Sequence, residues 1–219
     1  MKKIFVFIVF VVLGTTAIVS QEKDKERAQD QNRLMLVDGD VLQIRDRDQI
    51  RLKNKITLND GTLLNPDGTY QTRNRKQLKL KDGECLDNDG IKYRNEYQYR
   101  YKIQQENKGL NQAQIQERNQ NRVHYMLVDG EMIQVRTQSQ NRLQERLNLG
   151  NGTTVNPDGT YQTKERKQLQ LKDGECLNMN GEMYQNTYQH RKKVIKKTAM
   201  KKKVKKNLKV QKKTMKKGN

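Results

Sequence analysis

The chain contains one long stretch of sequence twice. Residues Met35 to Lys102 recur as Met126 to Lys193, at a constant offset of about 91 positions and without a gap. A tandem repeat of this kind indicates that each copy is one structural unit. The boundaries predicted for these units are 34–102 for copy 1 and 125–190 for copy 2.

Each copy also has a shorter internal period. Asp-Gly pairs recur every 22 residues, at Asp38-Gly39, Asp60-Gly61 and Asp82-Gly83 of copy 1. Apolar residues alternate with polar ones before these pairs, which indicates half-buried β-strands. Asp-Gly between two such strands favours a β-hairpin, because Gly readily adopts a positive φ. The predicted fold is therefore all-β: two small repeated domains, each with three antiparallel hairpins, or about six short strands, in a meander or roll.

The loop length of these hairpins decides which residues face each other. A two-residue loop at Asp38-Gly39 would place Leu36 opposite Val41, whereas a three-residue loop would place Leu34 opposite Leu42. The position of Leu42 is apolar in all six units of the chain, and the position of Val41 is less strict. We therefore predict the three-residue loop.

The first 20 residues have the pattern of a secretory signal peptide. Lys2 and Lys3 precede an apolar run of about ten residues, which is shorter than the roughly 20 needed to span a bilayer. We expect cleavage between Ser20 and Gln21, with an uncleaved anchor as the alternative. The expected location is periplasmic or secreted. All three Phe lie in this segment and Trp is absent, so we expect small cores in the mature protein.

Two polar segments flank the copies. Residues 21–33 and the Gln- and Asn-rich linker 103–124 are each either helical or unstructured, and their composition favours a helix. Tyr97, Tyr99 and Tyr101 alternate with polar residues just before the linker. This spacing predicts an edge strand, with an aromatic stripe that stacks on sugars or bases as the alternative.

The C-terminal segment 191–219 is strongly basic. It carries fourteen Lys, one Arg and no acidic residue, whereas the whole chain has a formal charge of +20. We predict that it binds polyanions, with a solvated solubilising tail as the alternative. The expected partners are an anionic envelope surface, polysaccharide or lipopolysaccharide, and nucleic acid only without sequence specificity. The predicted polyanion-binding residues are Lys192, Lys193, Lys196, Lys197, Lys201, Lys202, Lys203, Lys205, Lys206, Lys209, Lys212 and Lys213.

The copies supply little for catalysis. His124 and His190 have no histidine counterpart in copy 1, and no Ser–His or Cys–His pair is present in both copies. The segment from Asp87 to Gly90 resembles a calcium loop, but copy 2 has Asn178 and Asn180 in place of its carboxylates, which favours a turn. We expect no enzymatic activity, no cofactor and no small-molecule substrate.

Cys85 and Cys176 occupy equivalent positions in the two copies. Three hypotheses remain open for them. They are buried thiols, or they form a disulfide between copies or between chains, as an oxidising compartment permits. The third hypothesis is a soft-metal or redox role, because Met126, Met132, Met179 and Met183 could provide soft ligands near Cys176.

The runs from Met126 to Met132, Asn156 to Thr163 and Leu171 to Leu177 resemble the bacterial domain of unknown function 6799 family. The corresponding runs of copy 1 resemble it too, which implies two tandem copies. The family is found in small exported proteins of Bacteroidetes-type bacteria and has no assigned activity. It therefore implies export and a repeated small domain, and no functional residue. The function expected from the whole sequence is a non-enzymatic binding module held at an anionic surface by its basic tail. The alternative is a periplasmic soft-metal or redox-responsive binder that uses Cys85 and Cys176.

Overall fold

The structure is a computed structural model that describes residues 32–197 and residue 200. The predicted signal peptide, residues 21–31 and the lysines from Lys201 onward lie outside the described residues. The described chain consists mostly of antiparallel strands arranged in two repeats, which confirms the all-β prediction.

Each copy contributes eight strands, more than the six expected, because short strands form on both sides of several turns. Copy 1 contains β1 (Asn32–Val37), β2 (Asp40–Arg51), β3 (Ile56–Thr57), β4 (Leu63–Leu64), β5 (Thr69–Gln71), β6 (Gln77–Lys79), β7 (Cys85–Asp87) and β8 (Lys92–Tyr93). Copy 2 contains β9 (Val123–Val128), β10 (Glu131–Arg142), β11 (Leu147–Asn148), β12 (Thr154–Val155), β13 (Thr160–Gln162), β14 (Gln168–Gln170), β15 (Cys176–Asn178) and β16 (Met183–Tyr184).

The described residues also form three helices. α1 (Glu96–Glu106) and α2 (Gln112–Gln120) lie between the copies, and α3 covers 187–197 after β16. The linker is thus helical over much of its length, as its composition favours. No described helix is long and apolar enough to cross a membrane.

The tyrosine alternation lies on a helix, so the predicted edge strand is wrong. The Asn95 side chain accepts a hydrogen bond from the Gln98 backbone N–H and caps the N-terminus of α1. One turn apart on this helix, the rings of Tyr97 and Tyr101 stack with centroids 6.4 Å apart. Tyr99, on another face, is buried. The cap at Asn95 therefore determines the local structure, and the alternation of three tyrosines with polar residues does not.

The two copies exchange strands within one eight-stranded sheet. Its order is β16-β15-β1-β2-β10-β9-β7-β8. Strand β1 of copy 1 pairs with β15 of copy 2, so that Met35 lies opposite Cys176. Reciprocally, β9 of copy 2 pairs with β7 of copy 1, and Met126 lies opposite Cys85. Each copy therefore completes its sheet with strands of the other copy.

Two smaller sheets cover one face of the large sheet. Strands β3–β6 form one and β11–β14 form the other. Leu34 and Leu36 of copy 1 pack with Val155 and Tyr161 of the copy 2 small sheet. Leu127 of copy 2 packs with the copy 1 small sheet in the same way. The apolar core is thus shared between the copies on this face as well.

These contacts are close. A methyl group added at Gly159 would lie 2.7 Å from Leu36 Cδ1, and one at Gly68 would lie 2.7 Å from Leu127 Cδ1. Glycine is favoured at both positions, because a side chain would displace a leucine of the other copy and both residues have a positive φ. The opposite face of the large sheet packs against α1 and α3 around two further apolar clusters.

The copies are related by an approximate two-fold axis that passes between β2 and β10. Asp46 lies opposite Thr137, which is its equivalent 91 positions later. On either side, Arg45 lies opposite Ser139 and Asp48 lies opposite Arg136. These pairs are also interchanged by the 91-residue offset, and the register shift at Thr137 has the same symmetry. The axis is therefore visible in the strand register itself.

The hairpin prediction is wrong for the first turn and confirmed for the second. Leu36 lies opposite Val41, and both Asp38 and Gly39 have positive φ, so this loop has two residues in a type I′ turn. At Asp60-Gly61 the loop has three residues, and Ile56 lies opposite Leu64 as predicted. The apolar residue at position 42 does not distinguish the two loop lengths of the first turn, because both faces of β2 are buried there.

The third Asp-Gly pair does not close a hairpin. Asp82-Gly83 connects β6 of the small sheet to β7 of the large sheet, and the Gly83 backbone N–H donates to the Leu127 carbonyl of copy 2. The turn after β7 is as predicted. Asp87 accepts hydrogen bonds from the backbone N–H groups of Asp89 and Ile91, and Asn178 plays the same part in copy 2.

The strand exchange predicts how a cleaved chain behaves. A protease site inserted at Lys108-Gly109, in the exposed loop between α1 and α2, should be cut without release of either copy. The halves should elute together in size-exclusion chromatography, because each half buries β1 or β9 against the small sheet of the other. They should separate only in denaturant. Two folded halves that separate in native buffer would contradict the exchanged arrangement.

Candidate functional site

A group of charged side chains lies in the centre of the molecule, where strands and helices of both copies meet. Each of these side chains has 0 % exposure, and ion pairs join them to one another. This ionic cluster consists of Arg33 on β1, Asp46 on β2, Glu96 and Arg100 on α1, and Arg191 on α3.

Glu96 is held by all three arginines. Arg191 donates from Nε to Oε2 at 2.9 Å and from Nη2 to Oε1 at 2.8 Å, which is a bidentate pair. Arg100, one helical turn after Glu96, donates from Nη2 to Oε1 at 2.8 Å. Arg33 also donates to Oε1. Burial by itself would raise the pKa of Glu96, but the guanidinium groups hold this pKa well below its usual value.

Asp46 has the same three partners. Arg33 Nη1 and Arg191 Nη1 lie 2.7 Å and 3.0 Å from Asp46 Oδ2, and Arg100 Nη2 lies 3.3 Å from Oδ1. Burial opposes the charge of Asp46, but Arg191, Arg33 and Arg100 together lower the pKa of Asp46 to about 2. Each arginine thus bridges both carboxylates, and the cluster connects β1, β2, α1 and α3.

Three guanidinium groups against two carboxylates leave one excess positive charge in the cluster. Neutral oxygens of copy 2 share this charge: Thr137 Oγ1 and Gln140 Oε1 accept from Arg100 Nη1 at 2.9 Å and 3.2 Å. A buried charge without partners is very unfavourable, so these contacts matter to the balance of the cluster.

Both histidines of the chain lie beside this cluster and are buried. His124 Nε2 is 3.6 Å from Glu96 Oε1, and its ring lies 4.5 Å from the ring of Tyr99. His190 packs edge-on against Tyr184. Burial lowers the pKa of His124 to about 4 and that of His190 to about 3. Both imidazoles are therefore neutral at pH 7 and closed off from solvent.

The ionic cluster lies where the two copies differ. The offset of 91 residues pairs Arg33 with His124, Asp46 with Thr137, Glu96 with Thr187, Tyr99 with His190, and Arg100 with Arg191. Only the last pair is identical, and both carboxylates belong to copy 1. Comparison of the copies for shared residues therefore passes over these positions. The sequence feature that could have indicated the cluster is Arg33, a charged residue directly before a run of apolar strand residues.

The cysteines are both free and buried. Cys85 lies on β7 and Cys176 on β15, with β9, β10, β2 and β1 between them in the sheet. Strands are spaced by about 4.8 Å, so the two residues are far beyond the roughly 6 Å that a disulfide allows between Cα atoms. The hypothesis of a disulfide between the copies is thus corrected to two separate buried thiols.

The surroundings of the thiols are apolar. Burial raises the pKa of Cys176 to about 12 and that of Cys85 well above its usual value. Thiolates are the species that bind soft metals and react with oxidants. In the described part of the chain, no group of three or more His, Cys, Asp or Glu side chains is arranged to hold a metal ion.

Four of the predicted polyanion-binding lysines lie on described residues of α3. Lys192 Nζ is 2.7 Å from Asp129 Oδ1, and Lys193 Nζ is 2.8 Å from Glu182 Oε1. Lys196 and Lys197 follow on the same helix. The sequence boundary placed Arg191 in the tail, whereas the structure places it in the ionic cluster. The lysines from Lys201 to Lys213 lie outside the described residues.

Open grooves on the surface are lined by polar side chains. One of about 520 Å³ lies between the α1–α2 loop and β10 and is lined by Gln104, Asn107 and Arg142, among others. Another of about 480 Å³ lies on the copy 2 small sheet beside Arg146 and Gln170. Neither brings a nucleophile next to a histidine base, since both histidines are buried at the ionic cluster.

The model of the DUF6799 family, a domain of unknown function, matches residues 31–91 and 122–183. These matches cover more than half of the chain, one in each copy. The protein belongs to the DUF6799 family and contains the domain twice. No curated protein and no solved structure matches the chain.

Removal of one carboxylate from the ionic cluster should strongly destabilise the fold. Asp46→Asn leaves three guanidinium groups with one carboxylate, so the free energy of unfolding should fall by about 3–5 kcal/mol. Asp48→Asn is the matched control, because Asp48 is on the same strand but its side chain is 25 % exposed. It should cost less than about 1 kcal/mol. Urea denaturation followed by circular dichroism measures both, and equal losses would contradict the role of the cluster.

The same residues predict an acid-sensitive fold. In the unfolded chain the histidines take up protons below a pH of about 6.5, whereas the folded pKa values are about 4 and about 3. The unfolded state binds more protons in this window, so stability falls as the pH is lowered. Each histidine should contribute a slope of about 1.4 kcal/mol per pH unit. Protonation of Asp46 lowers stability further below a pH of about 3.8.

His124→Gln removes one of these titrating groups. Between a pH of about 4 and 6, it should reduce the slope of unfolding free energy against pH by about 1.4 kcal/mol per pH unit. Urea titrations at a series of pH values measure this slope. A wild-type stability that does not change over this range would show that the histidines are not buried in the neutral form.

Proposed function

We propose that the protein is an exported, non-enzymatic binding module that docks to an anionic envelope surface through its Lys-rich C-terminal segment. The observation that carries this proposal is a helix, α3, that is locked into the body by Arg191 and leads directly into the basic sequence. Export is proposed from the signal-peptide pattern of residues 1–20, and it suits a partner found at the envelope.

Buried and surface ion pairs attach α3 to the body of the protein. Arg191 makes a bidentate ion pair with Glu96 and a further one with Asp46, all without solvent exposure. Lys192 and Lys193 add ion pairs to Asp129 and Glu182 on the surface. The basic sequence therefore starts from a fixed point, so that binding by its lysines would hold the whole body at the surface.

The charge of the segment favours a polyanion over a single small ligand. Between 192 and 219 there are fourteen Lys and no acidic residue. Each lysine near an anionic membrane surface contributes about 1 kcal/mol, and this attraction decreases within a Debye length. Acidic lipid head groups, lipopolysaccharide and acidic polysaccharide all offer a dense array of negative charge, which such a segment fits.

The buried groups argue against catalysis as the main function. His124 and His190 are neutral and enclosed, and burial keeps both thiols protonated. A general base or a nucleophile must reach the substrate within hydrogen-bond distance. The same burial gives no support to the alternative of a soft-metal or redox-responsive binder.

Neutralisation of lysines in the basic segment should abolish surface binding. A variant with Lys→Gln at six positions should bind vesicles that contain phosphatidylglycerol at least ~100-fold more weakly than the wild type, because each lysine is worth about 1 kcal/mol. Sedimentation with vesicles measures the binding, and lipopolysaccharide aggregates serve as a second target. The six positions are Lys201, Lys202, Lys203, Lys205, Lys206 and Lys209.

The matched control changes the same number of charges on the body of the protein. It should keep binding within a few-fold of the wild type, and added salt should weaken the wild type far more than the tail variant. Equal loss in both variants, or wild-type binding to phosphatidylcholine alone, would contradict docking by the tail. The exposed control lysines are Lys53, Lys55, Lys76, Lys79, Lys108 and Lys164.

A further inference from the structure

The apolar contacts between the copies do not distinguish copy 1 from copy 2. Leu36 of copy 1 lies against Gly159, and its equivalent Leu127 lies against Gly68. Met35 pairs with Cys176 and Met126 pairs with Cys85, so these contacts are also interchanged by the offset. By these contacts alone, a copy could pair with the other copy or with a second copy of its own kind.

The ionic cluster does distinguish them. Two copies of copy 1 would bring together two each of Arg33, Arg100, Asp46 and Glu96, which is four cations and four carboxylates. Two copies of copy 2 would instead place two Arg191 side chains together, with no carboxylate, since Thr137 and Thr187 occupy the acidic positions. The first pairing is electrically balanced, and the second leaves buried charges without partners.

We infer that the face of copy 1 that carries Arg33, Asp46, Glu96 and Arg100 is self-complementary, and that its partner besides copy 2 is copy 1 of a second chain. We call this face the pairing face. Copy 2 cannot replace it, because its own face has no carboxylate. Two chains can therefore associate through their copy 1 units, whereas association through two copy 2 units is electrostatically unfavourable.

The geometry of the cluster supports this pairing. In the chain itself, each carboxylate contacts Arg33 and Arg100 of copy 1 together with Arg191 of copy 2. In a pair of copy 1 units, the place of Arg191 is taken by Arg100 of the second chain. Every carboxylate thus keeps three guanidinium partners. Because Asp46 lies at the approximate two-fold axis, the Asp46 side chains of the two chains would lie opposite each other, and the four arginines would offset their repulsion.

In the wild-type protein, copy 2 occupies the pairing face because the linker joins copy 2 to copy 1. A covalent linker makes the second unit present at an effective concentration in the millimolar range, above that of another chain in ordinary solution. The pairing between chains becomes visible when copy 2 is made a poor partner and copy 1 is left unchanged.

Two equivalent substitutions in the full-length chain separate these effects. Arg191→Glu leaves two cations and three carboxylates within the chain, and it does not alter a pair of copy 1 units. Arg100→Glu leaves the same balance within the chain, but it also gives a pair of copy 1 units six carboxylates and only two cations. Light scattering coupled to size-exclusion chromatography should show a dimer for Arg191→Glu and none for Arg100→Glu.

A disulfide reporter identifies which units pair. Gln43 lies opposite Asn141 and Ile50 lies opposite Gln134 within the chain, and these partners are the equivalents of Ile50 and Gln43. In a pair of copy 1 units, residue 43 would therefore lie opposite residue 50 of the second chain. With Gln43→Cys and Ile50→Cys added, mild oxidation should link two chains in the Arg191→Glu background. It should link none in the Arg100→Glu or wild-type background.

Each other outcome overturns the inference. An Arg191→Glu protein that is a folded monomer shows that the cluster does not decide the pairing. One that is unfolded or aggregated without the link between residues 43 and 50 shows that copy 1 does not accept a second copy 1. A linked dimer of Arg100→Glu shows that the carboxylates and arginines of the pairing face are not what is recognised.

Discussion

Three guanidinium groups enclose two carboxylates at the centre of this protein, out of contact with water. Each arginine bridges both Asp46 and Glu96, and the groups come from two strands and two helices. An ion pair in such a place contributes little net stability compared with an apolar core, but loss of one member is severe. Its consequence is specificity: within the chain, all three arginines reach both carboxylates only when α1, α3, β1 and β2 meet in this arrangement.

The strand exchange follows from how thoroughly β1 and β9 are buried. Five of the six residues of each strand have little or no exposure, so both faces and both edges need cover. The other copy provides part of this cover. The second copy supplies the missing edge strand and the missing small sheet, and the reverse holds for the first. A chain without Trp, and with its Phe confined to the first 20 residues, thereby gains one larger core from two small ones.

Much of the fold was predictable from local patterns. The repeat, the all-β class, the three-residue turn at Asp60-Gly61 and the helical linker all follow from spacing and composition. The pairing of β1 with β15 and of β7 with β9 could not be predicted. The two copies have the same apolar pattern, and strand pairing within a copy or between copies satisfies this pattern equally. Tyr99 lies on a helix because Asn95 caps the N-terminus of that helix. A short alternation of tyrosines and polar residues contains no information about the cap.

The central cluster was missed for a related reason. Most residues shared by both copies are scaffold residues, whereas Arg33, Asp46 and Glu96 of the cluster lie at positions where the copies have diverged. Divergence at the axis is what makes the two copies unequal, and it assigns them different tasks. Copy 1 carries both carboxylates. Copy 2 carries Arg191 and the helix that leads into the basic segment, so the proposed surface anchor is attached to the body through the same cluster.

The measurement that tests the exchanged arrangement most directly is the set of cross-strand nuclear Overhauser effects around the two cysteines. The structure predicts contacts between Met35 and Cys176 and between Met126 and Cys85. Contacts between Met35 and Cys85 and between Met126 and Cys176 would instead show that each copy is closed on itself, and would contradict the account.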